Sequence, residues 1–598
     1  MYRKIKTLQQ LGLIGIAILG VTVLLCCGKT KKEVVETAAF VVQDSTCFSN
    51  VTLCGIEKET QKLELFEIAE NEYFAFIPAE MRTDVYVFFD EFKELQIGDV
   101  TYKDGEELTD IYKDSSYTML AKGWNDEVLE EASVRFYFCI NIPSIYVATI
   151  EGNIEQVNED KSVKEQADFA AFGAFGEKDV ECQCTIKSRG NTSFQTEQKS
   201  YSINLDSAKS VLGMEESSEW VLLANYQNTT QQYKNKVMFE IAQRLGMKYT
   251  PDSCYVNLYV DNQYNGLYLL TQKVSADGGA VQFDYSDNYN DKITGPYLLE
   301  FDARYETEPI WFKTNKKNVV VKYPKNKTEK SIEYIENYMK ETETAIFATD
   351  GINPSTGKSF EEYIDLESWA KMYLMQEFFV QWDVEFASFY LYKLQADPML
   401  YAGPVWDFDL AYGNMFPGYY PTLTEKTTFL QDNKGGWLGE LAKYPVFQEK
   451  VKGIYLNDFS PTIHKYLDEE FMYNASTQSS SAYMNAKRWA RGEVDVETDA
   501  AELYDWTLKR SQFMDAYMLD SEKFEKVRFQ FGWGTMSYHV ESGEKIGFLP
   551  CKEYGEIDYL EDRDYGYGKI IGWMKESGEE VFADLVITEE TDLYPIYE

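Results

Sequence analysis

The segment Trp406-Asp407-Phe408-Asp409 alternates large apolar side chains with two acids, directly after a strand-like run and shortly before Gly413. Carboxylates at the end of a buried strand, where water is scarce, can hold a divalent cation such as Mg²⁺ through hard oxygen ligands. Two residues apart on an extended segment, Asp407 and Asp409 would share a face, so that one ligates and the other supports it; which of the two ligates is left open. The alternative is a buried acidic pair that caps loops. Upstream lies a second acidic constellation, Gln381-Trp382-Asp383-Val384-Glu385-Phe386-Ala387-Ser388. Asp383 closes an apolar helical stretch and precedes a strand, which puts its carboxylate at a cleft edge. There it can orient or deprotonate an acceptor hydroxyl. A third block, Arg189-Gly190-Asn191-Thr192-Ser193 with Lys199 following, reads as a glycine turn between strands. Such a turn can aim backbone N–H groups at phosphates while Arg189 and Lys199 supply charge. The alternative there is an ordinary β-turn with surface cations.

These groups need elements to carry them. Residues 229–245 place Val237, Met238, Ile241, Ala242 and Leu245 on one helical face, stopped by Gly246. Residues 255–260 and 264–273 read as a hairpin, with Asn265-Gly266 placed to make a bulge. Residues 361–382 and 482–518 have helical periodicity. Strands first and helices later predict an α+β body with two lobes over residues 139–522. Short alternating strands over 38–138 predict an all-β, sandwich-like domain in front of it, and residues 526–598 return to strands.

Composition narrows the chemistry. The 598 residues include 99 Asp and Glu against 58 Lys and Arg, a formal net charge of −41. Such a surface repels nucleic acid and suits divalent cations or basic partners. There are two histidines, His464 and His539, far apart in the chain, which argues against histidine-relay and zinc-protease chemistry. The 45 tyrosines, many alternating with apolar residues, favour β-structure. The nine cysteines show no zinc spacing. Cys47 and Cys54 are read as buried thiols, with closure of a small loop as the alternative.

Arg3, Lys4 and Lys6 precede an apolar run over 11–25, and Cys26-Cys27-Gly28 follow. A basic region before an apolar one signals export. Residues 1–28 are read as a signal with a bacterial lipoprotein-like cysteine, Cys27 or Cys26, or as an uncleaved anchor. Residues 29–37 form a tether. Either way the body is expected on the outer face of the cytoplasmic membrane.

The acid, strand, turn, strand, acid order from Asp383 to Asp409 is similar to that of the catalytic loop and metal-binding aspartate of protein kinases. The central segment resembles the CotH kinase family, named for spore coat protein H. The resemblance rests on Arg189-Gly190-Asn191-Thr192-Ser193-Phe194, Leu222-Leu223-Ala224-Asn225-Tyr226, Tyr264-Asn265-Gly266-Leu267-Tyr268 with Gly295-Pro296-Tyr297-Leu298-Leu299-Glu300-Phe301-Asp302, and the two acidic blocks. It implies an atypical protein-kinase-like core that uses ATP and Mg²⁺ or Mn²⁺ to phosphorylate Ser or Thr of extracytoplasmic proteins; the acidic chain makes a basic, Ser-rich acceptor, or the chain itself, one expectation. It implies Asp383 as the catalytic residue and Arg189, Asn191, Ser193 and Lys199 as nucleotide contacts. The metal set would be Asp407, Asp409 and Ser388, the last at the offset where eukaryotic kinases place an asparagine. The chain departs from the family pattern at Gln381, where Asn is usual, and in Asn225-Tyr226-Gln227-Asn228 followed by Lys234-Asn235, where Asp and Arg-Asn are usual. If those groups matter, a pseudokinase acting as a surface scaffold is the rival, and adenylylation on the same scaffold a further one. The end of the chain, with Gly566-Tyr567-Gly568 and Thr591-Asp592-Leu593-Tyr594, resembles one Listeria–Bacteroides-type β-grasp repeat.

Overall fold

The computed structural model describes residues 46–597 apart from 113–114, 192, 225–228, 285–292, 327, 413–425, 427–429, 431–435, 493–494, 532–533 and 550–569. The expected leader and tether, Cys26 and Cys27 included, and the Gly566-Tyr567-Gly568 run lie outside the described residues. The chain is α+β; among the described residues the strands form five sheets, and most of the helices follow residue 328. Among the described residues no helix is long and apolar enough to cross a membrane. Cys47, Cys54, Cys139, Cys182, Cys184 and Cys254 are free thiols.

The N-terminal strands pair as a three-stranded and a six-stranded sheet. A seven-stranded closed barrel follows, in the order Ser144–Thr149, Glu165–Phe172, Lys178–Arg189, Ser200–Lys209, Ser217–Ala224, Gln263–Gln272, Ser253–Val260. Only the closing contact, between the first and last strands of that order, is parallel. Ile186, Tyr201, Ile203, Leu222, Val256 and Tyr268 fill the interior as one apolar cluster. Side chains alternate across a strand, so the polar residues between them face outward. Arg189 pairs with Ser200, Lys187 with Ser202 and Thr185 with Asn204. The hairpin has the predicted bulge: Leu258 opposes Gly266 and Tyr259 opposes Tyr264, leaving Asn265 as the extra residue.

A five-stranded antiparallel sheet follows, ordered Trp311–Lys313, Asn318–Tyr323, Tyr297–Phe301, Phe389–Lys393, Leu400–Ala402. Its central strand is buried along its whole length. Helix Thr229–Arg244 buries the predicted face. It ends where Gly246 turns to φ 66°, and the Met247 amide bonds back to the Ala242 carbonyl at 3.0 Å, the pairing of a glycine C-cap.

Two helices differ from expectation. Instead of running over 361–382, the helix spans Leu366–Phe378, with Asp365 capping the Ser368 amide. It stops because Val380 enters the left-handed region at φ 48° and Arg510 takes the last carbonyls. The Arg510 Nε donates to Phe378 O at 2.9 Å, and its Nη2 donates to Glu377 O at 2.7 Å and Glu377 Oε1 at 3.2 Å. The single helix expected over 482–518 is two, Ser479–Arg488 and Val496–Leu519. Ala490 and Gly492 both carry positive φ between them, which breaks the helical path.

A five-stranded mixed sheet closes the chain, ordered Gly534–Glu541, Phe524–Phe531, Thr591–Tyr597, Ile570–Lys575, Glu580–Val581. One apolar cluster runs from Phe48 through the helices to Leu593.

Candidate active site

A cleft of about 1020 Å³ lies between the outer face of the barrel and the loops that flank the second sheet. Such a volume matches pockets for ligands of cofactor size. Arg189, Gly190, Asn191 and Ser193 line it from the barrel; Asp383, Ser388, Asp407 and Asp409 line it from the loops. Groups more than two hundred residues apart in the chain are thereby brought together.

Gly190 has φ 99°, and a Cβ there would fall 1.9 Å from Ser193 Oγ. The turn therefore requires glycine both for its backbone and for the close approach of the serine. Asn191 is exposed, and its Oδ1 accepts from Lys161 at 3.3 Å. The Arg189 guanidinium lies over the Trp406 ring at 5.7 Å. Burial lowers its pKa, while Asp407, Tyr390 and Glu300 act in the opposite direction.

Lys199 does not join this set. It is not among the residues lining the cleft; its ammonium donates to the Phe194 carbonyl at 2.7 Å and sits over the Phe194 ring. The reason is strand alternation. Ser200, Ser202 and Asn204 face the cleft, so the preceding residue is turned away.

The Asp383 loop leaves the helix Leu366–Phe378 through a reversal at Val380. Asp383 O accepts the Phe386 amide at 2.9 Å, closing the turn. Glu385, the second acid of the loop, plays a structural part. Its buried carboxylate accepts the amides of Trp437 and Leu438 at 2.9 and 2.7 Å and pairs with Lys317 at 2.5 Å. Glu385 and Ser388 have φ of 57° and 56°. Non-glycine residues in this region cost energy and mark a backbone held by its surroundings.

The Asp407 segment differs from the expected alternating strand. The strand ends at Ala402, and Asp407 sits in a loop at φ 65°. Asp407 and Asp409 reach the cleft because the loop is held, not because they share a strand face. Gln381 Nε2 donates to Asp407 O at 2.6 Å, the Phe408 amide donates to Asn235 Oδ1 at 2.8 Å, and the Lys234 ammonium donates to Asp409 O at 3.1 Å. Phe408 is fully buried, and Trp406 packs on Phe239, whose ring lies 5.7 Å away. Helix Thr229–Arg244 thus supplies three of the contacts that fix this segment. In the sequence, Gln381, Lys234 and Asn235 stand out only as departures from a pattern.

Electrostatics explains what the cleft accommodates. Asp409 is surrounded by protein yet keeps part of its surface open to the cleft. Loss of solvation, then the charges of Asp407 and Asp383, push its carboxyl well above the usual range, with Lys234 opposing. Burial draws Lys234 down to about 8 against the field of Asp409. Negative charge gathered on one side of a cleft favours a cation beside it. Among the described residues no three acidic, His or Cys side chains already converge as a metal cage. Mg²⁺ keeps several waters and takes one or two carboxylates together with substrate phosphates, so the all-oxygen set of Asp407 and Asp409 fits a metal carried with a nucleotide.

One further pair is not apparent from the sequence. Glu300, the single acid in the buried strand Tyr297–Phe301, lines the cleft 3.3 Å from the Lys322 ammonium, which also pairs with Glu308 at 3.1 Å. Burial raises Glu300 to about 7, with Lys322 opposing. A lone carboxylate in an otherwise apolar strand was the available signal.

The fold and the cleft are those of an α+β protein that sets a glycine turn and an arginine against a carboxylate cluster. A family model described as CotH kinase protein matches residues 186–514, and the chain belongs to the CotH kinase family. Its function is kinase-like at the level of that family. No curated protein sequence matches the chain.

Proposed function

We propose that this chain is a membrane-tethered, ATP- and divalent-metal-dependent protein kinase, phosphorylating Ser or Thr on proteins outside the cytoplasm. The observation that supports it best is the cleft in which Arg189, Gly190 and Asn191 face Asp383, Asp407 and Asp409. In this reading the barrel and the helix-backed sheet are the two lobes of a kinase-like core. The Gly190 turn and the Arg189 guanidinium hold the phosphates. Asp407 and Asp409, with Ser388 as a weaker oxygen, hold Mg²⁺ or Mn²⁺. When bound, the metal supplies charge neutralisation at the transferring phosphoryl group. Asp383 takes the proton of the acceptor hydroxyl and orients that oxygen. The three backbone contacts from Gln381, Asn235 and Lys234 keep the Asp407 loop in place, which favours an active enzyme over a scaffold.

Transfer of label from ATP by the protein lacking residues 1–29, compared with Asp383→Ala and Asp407→Ala, tests this reading. Metal-dependent γ-phosphate transfer that both substitutions abolish is the expected result. Equal signal in all three would end the kinase reading. Nucleotide binding without transfer would identify a pseudokinase, and retention of α-label would identify adenylylation.

The leader supports a tether through lipidated Cys27 or Cys26. Intact mass of the membrane-extracted protein checks it: diacylglycerol on a cysteine at a new N-terminus is expected, and a retained Met1 without lipid would mean a signal anchor. The strand-rich C-terminal sheet is read as a single β-grasp-type surface module.

A further inference from the structure

Among the described residues the cleft gathers several cations outside any ion pair, in a chain whose net charge is −41. Elsewhere cations near the cleft are neutralised: Lys273 pairs with Glu219 at 2.9 Å, and Lys322 pairs with Glu300 and Glu308. Lys161, Lys164, Lys187 and Arg304 also line the cleft, and among the described residues none of the four forms an ion pair with a carboxylate. They come from both sides of the opening. Lys187 lies on the same strand face as Arg189, two residues further from the Gly190 turn. Lys161 reaches Asn191 and lies 5.7 Å from the Phe194 ring centre. Arg304 stands on the opposite side, next to Ala303, whose amide donates to the Phe386 carbonyl at 2.8 Å. Phe386 belongs to the turn that carries Asp383 and is itself 56% exposed. The acid nearest Arg304 in sequence, Asp302, accepts the Arg304 backbone amide.

Lys187 and Arg304 are close enough to Lys161 for their charges to act on it. After burial, the fields of Lys187, Arg189 and Arg304 lower the pKa of Lys161. In a chain of net charge −41, like charges gathered outside any ion pair at an opening attract anions there. Arg189 and the Gly190 turn already answer for phosphates deep in the cleft. Of the outer cations Arg304 borders the Asp383 turn through Ala303 and Phe386, while Lys161 and Lys187 line the same cleft from the barrel; in the proposed reading the acceptor hydroxyl enters at that turn.

We propose that Lys161, Lys187 and Arg304 form an anion-reading subsite at the cleft mouth. It selects protein acceptors that carry acidic or phosphorylated side chains beside the Ser or Thr presented to Asp383. This rests on the reading of the cleft as a phosphotransferase site. It departs from the basic acceptor expected from net charge, because an acceptor meets the local field at the mouth rather than the average over the surface, which is screened beyond about 10 Å.

Binding tests the subsite without catalysis. Peptides with Ala in place of the acceptor Ser, flanked by four Glu, by phosphoserine, by Gln or by four Lys, are titrated calorimetrically into the full-length protein without nucleotide. The Glu or phosphoserine peptide should bind at least tenfold more tightly than the Lys peptide, and the double variant Lys187→Glu/Arg304→Glu should reverse that order. Preference for phosphoserine alone would assign the subsite to phosphorylated acceptors, and preference for Glu as well to acidic ones. Equal or tighter binding of the Lys peptide by the wild type would overturn the inference. So would a double variant that leaves the order unchanged while weakening ATP binding, because the cations would then serve the nucleotide. The milder Lys187→Gln/Arg304→Gln should level the order if the reversed variant fails to fold. If the order holds but the Ser peptides accept no phosphate, the subsite stands and the kinase reading falls.

Discussion

The Lys234 ammonium donates to the backbone carbonyl of Asp409 at 3.1 Å, across 175 residues of sequence. Its neighbour Asn235 takes the Phe408 amide, and Gln381 gives its amide to Asp407 O. Gln381 and Lys234, two departures from the family pattern, and Asn235 therefore bind three consecutive residues of the loop bearing the carboxylates. These three contacts are to the backbone of the loop, and Asp407 and Asp409 line the cleft.

Asn235→Ala and Gln381→Ala should loosen that loop while leaving Asp383, Asp407 and Asp409 in place. A hydrogen bond of this kind contributes about 0.5–1.5 kcal/mol, enough to shift loop population but not to unfold the chain. We expect kcat to fall roughly tenfold, with the KM for ATP changing less than about threefold. A rise in KM with kcat unchanged would show that these residues contact the nucleotide instead.

Arg189→Ala should weaken ATP binding roughly tenfold or more, since a charge-assisted contact contributes about 1.5–3 kcal/mol. Lys199→Ala should leave it within about twofold, because its ammonium is committed to the Phe194 carbonyl away from the cleft. Titration of a fluorescent ATP analogue reads both. A larger effect from Lys199→Ala would overturn the placement of the phosphate site.

Glu300 makes stability depend on pH. Its folded pKa of about 7 lies above the ordinary glutamate value of 4.5 because burial disfavours the charged form. Between these values the folded state holds a proton that the unfolded state has released, so stability is highest below 4.5 and is lost as pH rises through about 7. A tenfold difference in proton affinity between the two states corresponds to about 1.4 kcal/mol, so the loss is on the order of 3 kcal/mol. Glu300→Gln should flatten the difference in denaturation midpoint between pH 4.5 and 7.5, measured against the wild type. A variant whose curve runs parallel to the wild type would disprove the assignment.

Arg510 is fully buried and holds the end of the helix that leads to Asp383 through Glu377 and Phe378. Arg510→Ala strands the buried Glu377 carboxylate, whose other oxygen accepts the Leu430 amide at 2.6 Å, and should cost about 3–5 kcal/mol. Arg510→Lys should not restore it, because one ammonium cannot replace the Nε and Nη2 donors in their planar arrangement. Urea denaturation checks both; a lysine variant as stable as the wild type would show that charge alone suffices.

Much is legible from local sequence. Amphipathic spacing marks helix Thr229–Arg244, because a 3.6-residue period and a following glycine are both local signals. The hairpin at 253–272 and its bulge at Asn265 are legible for the same reason. Asp383, Asp407 and Asp409 stand out as acids inside apolar runs, where each needs a reason to be buried. What the sequence could not decide was direction and partnership. Strand alternation alone leaves open which face looks into the cleft, and only closure of the barrel turns Arg189 and Lys187 outward to the cleft and Lys199 away from it. The Asp407 loop reads as a strand in the sequence because its conformation comes from Gln381, Lys234 and Asn235, which lie far away in the chain. The ends of helix Leu366–Phe378 and of the expected 482–518 helix depend on a distant arginine and on positive-φ residues that periodicity does not register. Local order follows from short-range sterics and solvation. The site depends on contacts between distant segments, and those exist only in the folded chain.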